Sequence, residues 1–189
     1  MVIMEKTLFP EVKVFKFEEK IDNRGFKYKS FSEKEFLEMN IDFKMKEEIV
    51  YNIRNKNTLY GIHLQNEPKV QQKIVSLVYG KGIDYVIDLR KGSKTYKKWI
   101  SVEISGDNYK HILVPNGFGH LFRSTTDNVV MLFKIDEEFD SEYSRTISYK
   151  DPEIALDILN RKFVMSENDK KAPCLQESDC NFALTKVST

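Results

Sequence analysis

Alternation with a period of two dominates the middle of the chain. Ile83, Tyr85, Ile87 and Leu89 alternate with Asp84, Val86, Asp88 and Arg90, which predicts a strand with two unlike faces. Ile100, Val102 and Ile104 alternate with Trp99, Ser101 and Glu103 in a second strand, and Val129, Met131, Phe133 and Ile135 share a face in a third. Turn signals separate such runs: Gly80-Lys81-Gly82, Lys91-Gly92-Ser93, Gly106-Asp107-Asn108 and Pro115-Asn116-Gly117. Short strands at this spacing predict an all-β, antiparallel sandwich or barrel. Helical patterns flank it. Ser32 with Glu35 is a capping box, and Phe36, Leu37 and Met39 follow it in a short helix. Asp151-Pro152 predicts the start of another helix through Ile154–Leu159. There is no repeat and no linker, so the 189 residues read as a single domain, with 166–189 as a polar C-terminal arm.

Composition narrows the class. Hydrophobic residues make up 41% and charged residues 31%, which argues against disorder. Thirty basic against 29 acidic residues give a net charge of +1, so nothing draws the chain toward nucleic acid or an anionic membrane. No apolar run approaches the ~18 residues a membrane helix needs. Glu5 and Lys6 follow the first four residues, which predicts no secretory leader. Cys174 and Cys180, the two cysteines, suit free thiols in a reducing cytoplasm.

Chemistry has few carriers, since there are only three histidines. His63 lies in Tyr60-Gly61-Ile62-His63-Leu64-Gln65; as a strand, this puts Gly61, His63 and Gln65 on one face and Ile62 and Leu64 toward the core. His111, between Lys110 and Ile112, reads as a surface residue. His120 closes Pro115-Asn116-Gly117-Phe118-Gly119-His120, a Pro-x-Gly-x-x-His segment that resembles the second half-motif of cupin barrels. The first cupin half-motif normally supplies His-x-His; here it reads His63-Leu64-Gln65. A metal site would therefore have to add a carboxylate such as Asp84 or Asp88, and no metal is expected.

Several blocks in order match one family. Asp22-Asn23-Arg24-Gly25-Phe26, Leu59-Tyr60-Gly61-Ile62-His63-Leu64-Gln65 and Gln72-Lys73-Ile74-Val75 are followed by Gly82–Arg90, Lys98-Trp99, Val114–His120 and Ser166-Glu167-Asn168-Asp169. Over about residues 9–175 the chain resembles the dTDP-4-keto-6-deoxyglucose 3,5-epimerases, cupin enzymes of rhamnose-precursor synthesis. The resemblance implies a cupin-type jelly-roll and a homodimer without cofactors, acting on a nucleotide-diphosphate 4-keto sugar for a surface polysaccharide. It implies that His63 is the base, Asp169 its dyad partner and Lys73 the enolate stabiliser. It implies further that His120, Asp84, Gln65, Asn52, Tyr60, Phe26 and the residue at Phe133 bind substrate, and that Arg24 meets the diphosphate across a dimer interface. These types suit the task. The hydrogens flanking a ketone are acidic because the carbanion is an enolate, and inversion needs a base, a proton source and groups that hold the oxyanion.

Departures from the family pattern leave three outcomes open. The family's proton-donating Tyr is here Phe133, in Leu132-Phe133-Lys134; the Arg before its Gly-Leu-His is Tyr60; Lys29 replaces an acidic residue; and Val50-Tyr51 stands where polar residues are usual. One carbon is inverted, carbon 3 before carbon 5, with water or another hydroxyl as the donor; or Tyr60 or Tyr51 replaces the donor and both invert; or the chain binds a nucleotide sugar without turning it over. A GDP-linked 4-keto-heptose is a second candidate substrate. A sugar-nucleotide 3,4-ketoisomerase and a metal-dependent dioxygenase are the competing enzyme classes.

Overall fold

The computed structural model describes residues 2–159 and 161–184. Its strands are β1 (Val2–Glu5), β2 (Lys13–Phe17), β3 (Lys20–Asp22), β4 (Gly25–Lys27), β5 (Glu47–Ile53), β6 (Leu59–Gln65) and β7 (Lys73–Tyr79). They continue with β8 (Lys81–Asp88), β9 (Trp99–Ser105), β10 (His111–Val114), β11 (Phe118–Ser124), β12 (Val129–Ile135) and β13 (Ser144–Thr146). Two short helices, α1 (Glu33–Glu38) and α2 (Glu167–Lys170), complete the set used below. One sheet has the order β1-β2-β10-β7-β12-β5 and the other β13-β6-β11-β8-β9. All pairings in both are antiparallel. The hairpin β3–β4 forms a two-stranded sheet of its own.

The two large sheets face each other across a core that draws Val75, Leu77 and Met131 from the first and Val86, Ile104 and Phe122 from the second. This is the antiparallel jelly-roll expected from the strand spacing. Each sheet is also covered on its outer face. Phe36, Ile41 and Phe43 lie over the six-stranded sheet, against Phe15, Ile74 and Leu113. Ile147, Tyr149, Ile154, Leu156, Ile158 and Leu175 lie over the five-stranded sheet, against Ile62, Leu64, Tyr85, Ile87 and Leu121. The strand β8 is thus buried on both sides. Its polar-looking face, with Asp84 and Asp88, is the one turned into the barrel, and both side chains are fully buried.

Ile62 and Leu64 face buried core, as expected, in the layer between the five-stranded sheet and its outer cover, while His63 faces the barrel interior opposite His120. Two readings need correction. His111 is not a surface residue: it is fully buried, stacked on Phe15 at 5.3 Å and edge-on to Phe17 at 5.6 Å. Burial, followed by the Lys134 charge, pushes it down to about 3, so it is neutral. No helix forms over 154–159. Asp151 does bind the following amides, accepting from Glu153 N at 2.8 Å and Ile154 N at 3.0 Å, but Ala155 turns left-handed at φ 51°. Ile154, Leu156 and Ile158 then reach the sheet at alternate positions, so burial rather than helical propensity decides the segment. The capping box at Ser32 opens α1 as expected, with the serine side chain accepting from Glu35 N.

Candidate active site

The site is built where β6, β11 and β8 of one sheet face β5, β7 and β12 of the other. Strand β6 supplies two inward side chains, Tyr60 and His63. Three residues apart, they would lie on opposite faces of a regular strand. A register shift against β11 turns both inward: His63 sits opposite His120, and Tyr60 opposite Phe122. Gly61 makes this possible. Its φ is +111°, and a Cβ there would stand 2.3 Å from the His120 carbonyl oxygen.

His63 donates from Nε2 to Asp169 Oδ1 at 2.6 Å. The imidazole is 37% exposed and the carboxyl 3%. The outer end of the pair therefore meets solvent while its anchor does not. Asp169 sits on α2, whose cap Ser166 does two jobs: its Oγ accepts from Asp169 N at 3.1 Å and donates to Asp169 Oδ2 at 2.9 Å. Burial alone would raise the Asp169 carboxyl. The His63 hydrogen bond and charge, the Ser166 hydroxyl and the Gly61 amide together hold it below the usual carboxylate range. Asp169 is thus ionised at neutral pH and fixes which ring nitrogen of His63 carries the proton.

A second pair stands beside the first. His120 Nε2 and Asp84 Oδ2 share a hydrogen bond of 2.7 Å, with both side chains buried. Burial pushes the Asp84 carboxyl up in spite of His120 and Lys73, and its Oδ1 has no hydrogen-bond partner. Lys73 enters from the opposite sheet on β7. It is buried, its ammonium donates to the His63 carbonyl at 3.0 Å, and burial brings it down to about 8 against the pull of Asp84. A train of rings closes the interior: Tyr60 on Tyr51 at 5.5 Å, Tyr51 on Phe133 at 5.7 Å, and Phe133 on His120 at 5.7 Å.

His63, Asp169, Lys73, His120, Asp84, Tyr60 and Phe133 thus come together. Gln65 follows His63, but its amide is already engaged, donating to the Lys69 and Glu138 carbonyls and accepting from Asp140 N. Asn52 lies on β5 with its side chain outward and exposed, one position from the inward Tyr51. Arg24 and Phe26 lie on the β3–β4 hairpin, outside both large sheets. Arg24 pairs with Asp22 at 2.7 Å and is 80% exposed; Phe26 packs on Tyr109 and is half exposed. Ser166 is the site residue that the sequence reading passed over, although Ser-x-x-Asp is a capping pattern that could have drawn attention to it.

Residues 6–177 match the family model for dTDP-4-dehydrorhamnose 3,5-epimerase. The chain belongs to that family. A dTDP-4-dehydrorhamnose 3,5-epimerase of Sinorhizobium fredii is 32% identical over 178 residues, which is 94% of this chain and 91% of the relative. One from Shigella flexneri is 32% identical over 167 residues, covering 87% of this chain and 91% of its own. Among solved structures, the Bacillus anthracis epimerase with TDP and pyrophosphate bound superposes with a TM-score of 0.89 at 27% identity, covering 93% of this chain and 100% of that one. The Legionella pneumophila epimerase, solved with dTDP-4-keto-L-rhamnose, gives 0.88 at 29% identity, covering 93% and 94%. The chain is an epimerase by family, and its two-sheet barrel is the family's fold. No helix in the described residues is long and apolar enough to cross a membrane.

Proposed function

We propose that the protein inverts a carbon beside the C4 ketone of a dTDP-linked 4-keto-6-deoxy sugar, carbon 3 first. The observation that carries this reading is the His63–Asp169 pair at the end of a buried polar cluster that also holds Lys73. Asp169 accepts the Nε2 proton of His63, so Nδ1 is the basic nitrogen. It takes the proton from carbon 3, and the imidazolium that forms is stabilised by the Asp169 carboxylate. The electron pair moves onto O4, giving an enolate. Lys73 and the His120–Asp84 pair lie in the same interior and supply positive and hydrogen-bonding character to that oxygen. Inside a barrel, such groups act at a low effective dielectric and are worth more than they would be in water. The dTDP carrier is supported by the relatives with TDP or dTDP-4-keto-L-rhamnose bound.

In the same reading the protein is a homodimer whose Arg24 and Phe26 serve the neighbouring copy's site. The hairpin's separation from the barrel and the exposed side chains of Ile21 and Phe26 support this. A monomeric mass in solution at working concentration would count against it.

The test is product analysis. The protein is incubated with dTDP-4-keto-6-deoxyglucose and, separately, with a GDP-linked 4-keto-heptose, and the configuration at carbons 3 and 5 is read by NMR. Inversion of the dTDP sugar, lost in His63→Asn, is the expected result. Inversion of the GDP sugar alone would move the specificity, and a ketone shifted to carbon 3 would replace the epimerase by a ketoisomerase.

A further inference from the structure

Inversion needs a proton delivered to the face of the sugar opposite the one from which it was taken. His63 works from the five-stranded sheet. Tyr60 stands on that same side: burial and then the Asp169 charge raise its phenol, which places the Tyr60 ring in the field of the base's own partner. A side chain that delivers the proton must therefore come from the six-stranded sheet. On that wall the inward side chains around the ring train are Tyr51, Met131, Phe133 and Val75, with Lys73 one strand position further along. Methionine, phenylalanine and valine have no proton to give. The Lys73 ammonium is tied to the His63 carbonyl and is assigned above to the enolate oxygen. Glu47, on the same face of β5, is exposed at the strand's first position.

Tyr51 remains. Its ring is wedged edge-on between Phe133 and Tyr60, at 5.7 and 5.5 Å. Among the described residues its hydroxyl has no protein hydrogen-bond partner. We propose that Tyr51 is the proton donor, working from the wall that faces His63; this rests on the epimerase reading above. Burial, and then Tyr60, push the phenol above its usual value, so the group enters the reaction protonated. In the delivering step the Tyr51 O–H bond breaks and a C–H bond forms on the far face of carbon 3. The enolate electrons return to the C4 carbonyl. The phenolate left on Tyr51 takes a proton from solvent and the His63 imidazolium gives one up, so both groups are reset. Phe133 then serves as the surface that orients the Tyr51 ring.

Adjacent rings make a sharp experiment possible, because the hydroxyl can be moved from one to the other at nearly constant volume. Inversion at carbon 3 and deuterium uptake at carbon 3 are measured together in heavy water, with dTDP-4-keto-6-deoxyglucose, for four proteins: wild type, Tyr51→Phe, Tyr51→Phe with Phe133→Tyr, and His63→Asn. Tyr51→Phe should slow inversion about a hundredfold or more with KM unchanged. Uptake with retention should largely persist, since His63 is open to solvent and exchanges its own proton. Adding Phe133→Tyr should restore most of the lost rate. Wild-type inversion by Tyr51→Phe, or a defect seen in KM rather than kcat, would overturn the role of Tyr51 and leave the epimerase reading standing. No uptake by the wild type would overturn both.

Discussion

Lys73 shows how single residues here trade stability for chemistry. Its ordinary pKa is 10.5, and burial brings it to about 8 in the fold. Between those values the unfolded chain holds a proton that the native chain has lost, so stability rises with pH across that window. Below pH 8 the ammonium is retained in a buried site, at a cost of up to about 3 kcal/mol. Lys73→Met removes that cost and keeps the volume. It should raise Tm while lowering kcat by about a hundredfold or more. In the wild type, kcat should fall as pH rises past about 8, where the enolate loses its cation; a lower Tm for Lys73→Met, or a rate flat through that range, would contradict this. Phe133 is the converse case. It fills a position beside His120 and Tyr51 with a ring that takes no part in proton transfer.

Among the elements, the short helix α2 and the arm around it matter most. Asp169 reaches His63 because the arm is held over the outer face of the five-stranded sheet. Asp151, 1% exposed, is the pin: it accepts from Glu153 N, from Ile154 N and, 24 residues on, from Leu175 N at 2.6 Å. Asp151→Ala leaves these amides without their acceptor and should cost about 2–3 kcal/mol. It should lower kcat as well, because the arm carries Asp169; calorimetry and steady-state kinetics on one preparation test both effects. An unchanged kcat at lowered Tm would separate the arm from the site. Much of this scale was legible in the sequence. The alternation in 83–90, 99–104 and 129–135 marks β8, β9 and β12 because those runs lie in turn-bounded strands. That Tyr60 joins His63 on the inward face of β6 was not legible, since the register shift that turns it depends on contact with β11. Nor was the broken helix at 154–159, where a short apolar run suits a helix or an extended cover equally well. His63, Lys73, His120 and Asp169 were picked out by family blocks rather than by pattern. Taken alone, Asp169 sits in a polar run like any solvated loop.

At the scale of the whole molecule, the barrel is closed by two covers, and one of them conceals a titratable group. His111 lies under the aromatic cover of the six-stranded sheet with both ring nitrogens unpartnered. Held at about 3 against 6.5 when exposed, it contributes stability that is present above pH 6.5 and is lost as pH falls toward 3. At full shift the loss is on the order of 5 kcal/mol. His111→Leu should stabilise the protein at neutral pH by about 1–3 kcal/mol and flatten the fall of Tm between pH 6.5 and 4. An equally steep fall in the variant would place the acid sensitivity elsewhere. Activity should survive the change, because His111 lies on the face of the sheet turned away from the site.

Proton abstraction by His63 inside the barrel is the step on which inversion depends. The most direct measurement is deuterium uptake at carbon 3 of dTDP-4-keto-6-deoxyglucose in heavy water, by the wild type and by His63→Asn. The predicted result is uptake by the wild type that disappears in the variant while nucleotide-sugar binding remains. Uptake that survives His63→Asn, or binding by the wild type with no uptake, would contradict it.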